Sequence, residues 1–354
     1  MSKQYDLVVF IGRFQPFHLG HKKTLEKALE LGRKVHVLIG SADTPRDIRN
    51  PFTYTERWAT ILSNIPEEIL SHERITISPI TDETYNDDLW CDNVRRIVQS
   101  EKVSGKVAII GSERDKSLGY ADLFPEWNLI PGADYIPGIN ATNIREMYFG
   151  DGIIDEEWLP EKTVAFLREF QYNTGSHGKA VSKSYKELAD EFRYVREYKR
   201  MWKSQGTEFY GGPIHHTVDA VVLCKGHTLL VKRRSHPGKG TYAFPGGYVN
   251  QGEKIIDSMI RELKEETKIN VPPGKLRGSI INKETFDDPD RSVRGRVITN
   301  AFLIHLSDEE GLPKVKGDSD AESAVWVPLN KFYDMRDTLF EDHYHIGKYF
   351  FRGR

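Results

Sequence analysis

Cysteine is nearly absent: Cys91 and Cys224 are the only two among 354 residues, which excludes a disulfide framework and a cysteine-rich zinc site and fits a reducing compartment, the cytoplasm by default. Neither sign of charge dominates. Fifty basic and 52 acidic residues give a formal net charge of -2, so there is no electrostatic footprint for nucleic acid or an acidic membrane, and a polyanionic ligand has to be met by a local cluster. Long apolar runs are missing as well: residues 7–11 are too few for a signal-peptide core, and nothing approaches a membrane span. No internal repeat is visible. What is present is enough chain for two cores, at 38% hydrophobic and 29% charged residues, and so the expectation is two enzymes, or one enzyme with an accessory domain.

The most informative stretch is residues 247–269, GYVNQGEKIIDSMIRELKEETKI. Ile255, Ile256, Met259, Ile260 and Leu263 recur at helical spacing, which predicts an amphipathic helix over residues 254–267, entered from a glycine-rich loop. On its charged side Glu262, Glu265 and Glu266 stand at i, i+3 and i+4, with mutual repulsion of roughly a few tenths of a kcal/mol per pair. A divalent cation reverses that cost. Oxygen-only donors suit Mg²⁺ or Mn²⁺, which can take up phosphate oxygens and activate a water. The alternative is a solvated helix in which Asp257, Arg261 and Glu265 form i, i+4 ion pairs.

The stretch resembles the signature of the Nudix hydrolases, with Gly247, Glu253, Arg261, Glu262, Leu263, Glu265, Glu266 and Ile269 all in register. The resemblance implies that Glu262, Glu265 and Glu266 hold the metals, with Glu266 also catalytic. It further implies that Gly247 faces substrate and that Glu253 and Arg261 brace loop and helix. Lys268 stands where the family has glycine. A lysine there either turns left-handed, at roughly 1–2 kcal/mol, or ends the helix differently.

The first half alternates short apolar runs (residues 6–11, 34–39, 74–80 and 106–110) with helical patterns (20–31, 53–63 and 88–99), which predicts a Rossmann-like parallel sheet covered by helices. After the first strand comes GRFQPFHLGH, residues 12–21, a strand-to-helix turn with His18 and His21 at the positive end of a helix dipole and Gly20 leaving room for close approach. Two polar caps would read the same way. His18, Gly20 and His21 match the HxGH motif of the nucleotidyltransferase α/β-phosphodiesterase superfamily, and the stretch resembles it. The resemblance implies that both histidines contact ATP phosphates during an in-line attack on the α-phosphorus, without a covalent intermediate. Gly12 and Phe14 then lie on the substrate-binding turn. INATNIR, residues 139–145, resembles the second signature of that superfamily, with Thr142 expected to cap a new helix and Arg145 one turn in, aimed at the triphosphate; Asn140 replaces a serine.

Two more stretches, NPFTYTER (50–57) and the helix start around Trp90, are similar to segments of the archaeal-type nicotinamide mononucleotide adenylyltransferases. That likeness implies that Trp90 stacks on the nicotinamide ring and Asn86 binds its carboxamide; the residues alone leave Trp90 equally a core residue. GSERDKS, from Gly111 to residue 117, follows a strand end and resembles the family's nucleotide-binding loop.

At residues 173–184 the composition turns polar and small, which is the expected linker between a domain of residues 1–172 and one of residues 185–354. Residues 185–203 carry Leu188, Phe192, Val195 and Trp202 on one face among many basic residues, the pattern of a packing or lid helix. Strands are expected at 217–224, 228–233 and 297–306, with polar loops at 286–296 and 317–322 that resemble substrate-facing regions of ADP-ribose pyrophosphatases. His215, His216, His343 and His345 read as surface or capping residues. The fold class is thus α/β throughout, a parallel-sheet nucleotidyltransferase domain followed by an α/β/α Nudix fold with a mixed sheet. The whole chain resembles a family in which nicotinamide mononucleotide adenylyltransferase is fused to a Nudix hydrolase. This implies ATP, nicotinamide mononucleotide, NAD and ADP-ribose as ligands, Mg²⁺ or Mn²⁺ as cofactor, and neither nucleic acid nor membrane as partner; a homo-oligomer is left open. Two alternatives stay open: a hydrolase half that only senses its nucleotide, and a transferase half with another acceptor or a cytidylyl donor.

Overall fold

The computed structural model describes residues 3–111, 123–133, 138–172, 183–204, 213–307 and 311–352. These fall into two compact units, Met1–Ala189 and Asp190–Arg354. The expected linker lies outside the described residues except for Lys183 and Ser184. The helix Tyr185–Ser204 spans the boundary between units. Its first turn serves the first unit, where the Tyr185 hydroxyl donates to the Tyr148 carbonyl at 2.8 Å. Later Tyr198 lies 6.0 Å from the His215 ring in the second. No helix among the described residues is long and apolar enough to cross a membrane.

In the first unit β1 (Tyr5–Gly12), β2 (Gly32–Ile39), β3 (Ile75–Pro79), β4 (Val107–Gly111) and β5 (Asn128–Pro131) form an all-parallel sheet in the order β3-β2-β1-β4-β5. Successive side chains of a strand point to opposite faces, and here both faces are buried. Val8, Phe10, Val35, Val37, Ala108 and Ile110 pack with Leu25, Ala28 and Ile61 on one side. Leu7, Val9, Leu38 and Ile109 pack with Val94, Val98 and Phe124 on the other. The strand β5 was not expected; it is four residues long, and only Ile130 in it is buried, so it carries no apolar run to read. The chain turns to opposite sides after β1, and the crevice at the carboxyl ends of β1 and β4 is where such sheets receive ligands.

The second unit is built on a mixed seven-stranded sheet with the path β10-β11-β6-β7-β12, from β6 (His215–Cys224), β7 (His227–Arg233), β10 (Ile280–Phe286), β11 (Val297–His305) and β12 (Ala321–Pro328). Two short strands, β8 (Tyr242–Ala243) and β9 (Gly246–Tyr248), pair with β7 and β6. Only β11 and β6 run parallel. The acidic helix, Ile255–Thr267, buries Met259, Ile260 and Leu263 against Val218, Ala220, Phe302 and Ile304, which turns its carboxylates toward β9.

Two candidate active sites

The first site begins where β1 ends at Gly12. The next helix, Leu19–Leu31, is capped by its own motif: the His21 N–H donates to His18 Nδ1 and the His18 N–H donates to His21 Nδ1, each at 3.3 Å. The two rings stack, with centroids 3.6 Å apart. A Cβ on Gly20 would come within 3.0 Å of the His18 ring, so glycine is what lets that ring fold back onto the cap. Because each Nδ1 accepts, the ring proton sits on Nε2, and both rings offer an N–H donor while neutral. Burial, and then the charge of Arg145, holds His18 down at about 4; burial, and then His18, holds His21 well below its ordinary value.

Arg145 arrives from the helix Ala141–Asp151 and donates to the Gln15 carbonyl at 2.8 Å and to Thr142 Oγ1 at 3.3 Å. Burial and the neighbouring Arg13 lower its pKa to about 10, which leaves it cationic at neutral pH. The structure corrects the expected role of Thr142. The cap is Asn140, whose side chain accepts from the Asn143 N–H at 2.8 Å, because Asn140 holds the extended backbone a cap requires and Thr142 lies already inside the first turn. Phe14 is buried at 1% exposure, and its ring meets His21 edge-on at 4.9 Å. Asn86 caps the helix Asp87–Gln99, its oxygen accepting from the Leu89 N–H at 3.0 Å. Trp90, on that helix, is half-buried and packs toward Phe124 at 6.0 Å. Gly111 ends β4, and residues 112–117 of the expected nucleotide-binding loop lie outside the described residues.

Sequence reasoning passed over Arg57 and Arg13. Arg57 is buried and donates to the carbonyls of Arg13, Gly40, Ser41 and Thr53 at 2.7, 2.6, 2.9 and 3.2 Å, which ties together the loops that follow β1 and β2. Arg13 and Arg49 both face Arg145, so three guanidiniums and two histidine donors gather beside the carboxyl end of β1. Arginine far apart in sequence gives no local pattern to detect.

In the second unit the Gly246 N–H donates to Glu266 Oε2 at 2.9 Å, and a Cβ on Gly247 would lie 2.5 Å from the Glu262 carboxyl carbon. Glycine at 247 is therefore what admits Glu262 to the site. Burial, reinforced by Glu262 and Asp320, pushes Glu266 up to about 8, and burial with Glu265 and Asp320 raises Glu262. Repelling, desolvated oxygen donors are the set a hard divalent cation relieves, so these residues fit Mg²⁺ or Mn²⁺. The expected trio is not closed. Arg261 Nη1 stands between Glu262 at 2.7 Å and Glu265 at 3.3 Å, and among the described residues no group of three His, Cys, Asp or Glu side chains is placed to hold a metal. Glu265 is exposed and bound to Arg261, while the charge of Asp320 reaches both Glu262 and Glu266.

Glu253 and Arg261 have the bracing geometry expected of them. Arg261 Nε donates to Glu253 at 3.1 Å and Nη2 to the Tyr248 carbonyl at 3.2 Å; with Ser258 Oγ at 2.6 Å, this holds Glu253 down at about 2. Lys268 does turn left-handed, at φ 46°, and its ammonium pairs with Asp318 at 3.1 Å. The loop bearing Asp318 and Asp320 is bonded to the end of the helix through the Asp318 N–H to the Glu266 carbonyl at 3.1 Å. The polar loop expected at residues 286–296 is tied to the rest of the unit: Arg291 makes a buried bidentate pair with Asp342 at 2.8 Å, and Ser292 donates to Glu341 at 2.8 Å. His343 is a buried acceptor for the Phe244 N–H at 3.0 Å.

Comparison with known proteins matches each half of the chain to a known family. A cytidylyltransferase-like model matches residues 9–147 and a NUDIX domain model matches residues 213–350. The nicotinamide/nicotinic acid mononucleotide adenylyltransferase of Acinetobacter baylyi is 38% identical over 191 residues, 54% of this chain and 95% of its own length. The ADP-ribose pyrophosphatase of Methanocaldococcus jannaschii is 31% identical over 159 residues, 44% of this chain and 86% of its own. A crystal structure of a bifunctional NMN adenylyltransferase/ADP ribose pyrophosphatase from Francisella tularensis is 35% identical, with a TM-score of 0.89 and 99% of each chain covered. The same kind of protein from that organism, complexed with AMP and a manganese ion, gives a TM-score of 0.87 at 35% identity over 98% of this chain and 99% of that one.

Proposed function

From the premise that this chain belongs to the family of bifunctional NMN adenylyltransferase/ADP-ribose pyrophosphatases, we propose that its first unit joins ATP to nicotinamide mononucleotide, giving NAD and pyrophosphate, and that its second cleaves the diphosphate of ADP-ribose. In the first unit the work is positioning and electrostatics. The mononucleotide phosphate attacks the α-phosphorus, and charge grows on the oxygens of the departing pyrophosphate. His18 and His21 offer Nε2–H donors already oriented by their reciprocal cap, and the cationic Arg145 lies beside them. Each Nδ1 is engaged in the cap and each Nε2 carries its proton, so neither ring presents a free lone pair for a covalent intermediate. In the second unit Glu262 and Glu266, with Asp320 facing them, would hold Mg²⁺ or Mn²⁺. A bound ion supplies Lewis acidity toward the diphosphate and lowers the pKa of a water. Arg261 and Glu253 keep the Gly-rich loop seated against the helix while this happens. The low cysteine content supports a cytoplasmic setting.

The observation that carries the reading is that both donor sets, stacked neutral histidines with a buried arginine and paired carboxylates with raised pKa values, occur in one chain. A panel of acceptors offered with ATP and with CTP, scored for pyrophosphate release, tests the first activity. Release of AMP from ADP-ribose with and without added Mg²⁺ tests the second; binding without cleavage would make the second unit a sensor.

A further inference from the structure

Arg233, the last residue of β7, lies outside the acidic-helix signature, and nothing in the cap or the carboxylate chemistry uses it. Its Nε donates to the Pro237 carbonyl at 3.0 Å, and its guanidinium lies over the Phe340 ring, 4.0 Å from the centroid. Those two contacts fix the plane of the group. Among the described residues Nη1 and Nη2 make no hydrogen bond, and no carboxylate comes within ion-pair distance. The charges it faces are Arg294, Glu341, Glu266 and Asp320.

Arg294 shares the Phe340 ring at 5.9 Å, but its donors are committed, to Tyr248 Oη and Ser292 Oγ at 3.2 Å each and toward Glu341 at 3.5 Å. Glu341 in turn accepts from Ser292 Oγ at 2.8 Å and from the Val293 N–H at 3.1 Å. Two guanidiniums thus share one ring and one already engaged carboxylate. Burial, and then the neighbouring Arg294, lower the pKa of Arg233 against the opposing pull of Glu341, Glu266 and Asp320. A planar pair of N–H groups without a protein acceptor is the geometry that takes two phosphate oxygens at once, and the charge of Glu266 reaches it.

We propose that the Nη1/Nη2 edge of Arg233 is the anion site of the second unit and takes a phosphate of a nucleoside-diphosphate substrate beside Glu266. This rests on the hydrolase reading and adds a substrate-binding residue to it. Losing a bidentate, charge-assisted contact weakens binding by about 10- to 100-fold.

The test uses the full chain and the variants Arg233→Met and Arg233→Lys. ADP-ribose hydrolysis is followed at saturating Mg²⁺, and the non-hydrolysable α,β-methylene analogue of ADP-ribose is titrated calorimetrically. NAD synthesis and thermal melting serve as controls. For Arg233→Met the expected result is a KM and an analogue Kd both raised by about 10- to 100-fold, with NAD synthesis unchanged. Arg233→Lys, which keeps the charge and loses the fork, falls between. A KM and Kd within about twofold of the parent, or a fall in kcat with lowered melting and unchanged analogue affinity, overturns the proposal. If the parent chain fails to cleave ADP-ribose, the hydrolase reading falls, whereas the analogue titration still decides whether Arg233 binds the diphosphate.

Discussion

Adenylyl transfer by the first unit should show no histidine ionisation between pH 5.5 and 8.5, although two histidines lie at its centre. Each Nδ1 of the pair is spent accepting a backbone N–H at 3.3 Å, and a proton there would break the cap and place a second charge beside Arg145. Burial, and then the charge of Arg145, hold His18 down at about 4 in place of 6.5. At pH 6 that leaves roughly 1% of the ring protonated, against about three quarters of an unperturbed one. The sign for stability follows from linkage. The folded pKa lies below the unfolded one, so the unfolded chain binds more protons in acid. The penalty is absent above about pH 7 and grows as the pH falls from the unfolded toward the folded value. For His18 alone it amounts to roughly 2 kcal/mol at pH 5 and roughly 3 kcal/mol at pH 4. Initial rates of NAD formation under saturating substrates, taken beside urea midpoints at each pH, measure both effects. Substrate phosphates titrate in the same window, so the control is His18→Asn, which keeps a cap acceptor and an N–H donor but cannot ionise. An acid limb present in the parent and absent in that variant would refute the neutral-donor account, as would a ¹⁵N spectrum showing imidazolium at pH 6.

Other outcomes follow from single side chains. Replacing Arg57 by Met strips donors from four backbone carbonyls and should destabilise the first unit by about 3 kcal/mol in urea denaturation; a loss under about 1 kcal/mol would show that water replaces the guanidinium freely. Asn140→Ala should cost about 1 kcal/mol and Asn140→Ser only a few tenths, since both Asn and Ser cap; equal losses would deny the capping role. Lys268→Gly should stabilise the second unit by about 1 kcal/mol, the relief of a left-handed lysine less a solvent-exposed ion pair; a lowered melting temperature would contradict it.

The elements that could be read in advance were those whose residues carry both a period and a boundary. The strand expected at residues 6–11 is Tyr5–Gly12, and the acidic helix expected at 254–267 is Ile255–Thr267, because apolar spacing and glycine punctuation agree at both places. Strand β10, with Phe286 its only fully buried residue, has no such pattern. Its existence depends on pairing with β11, which the local sequence does not contain. At the sites, residues adjacent in sequence were legible and those assembled across the fold were not. His18 with His21, and Glu262 with Glu266, are local pairs. Arg57 bonds to carbonyls up to 44 positions away, and Asp320 meets the acidic helix only because Asp318 and Lys316 are bonded to its end. Thr142 was misassigned because Asn140 is an equally good cap two positions earlier.

The most direct test of two chemistries in one chain is a pair of assays on the parent and two full-length variants, His21→Ala and Glu266→Gln. NAD formation is measured from ATP with nicotinamide mononucleotide, and AMP release from ADP-ribose with Mg²⁺. The parent should perform both reactions. His21→Ala removes one oriented donor and should lower NAD synthesis by about two to three orders of magnitude while hydrolysing ADP-ribose at the parental rate. Glu266→Gln keeps size and shape but removes a charge that would hold the metal; it should abolish hydrolysis and leave NAD synthesis intact. Near-parental NAD synthesis by folded His21→Ala, or parental hydrolysis by Glu266→Gln, would contradict the assignment of that site.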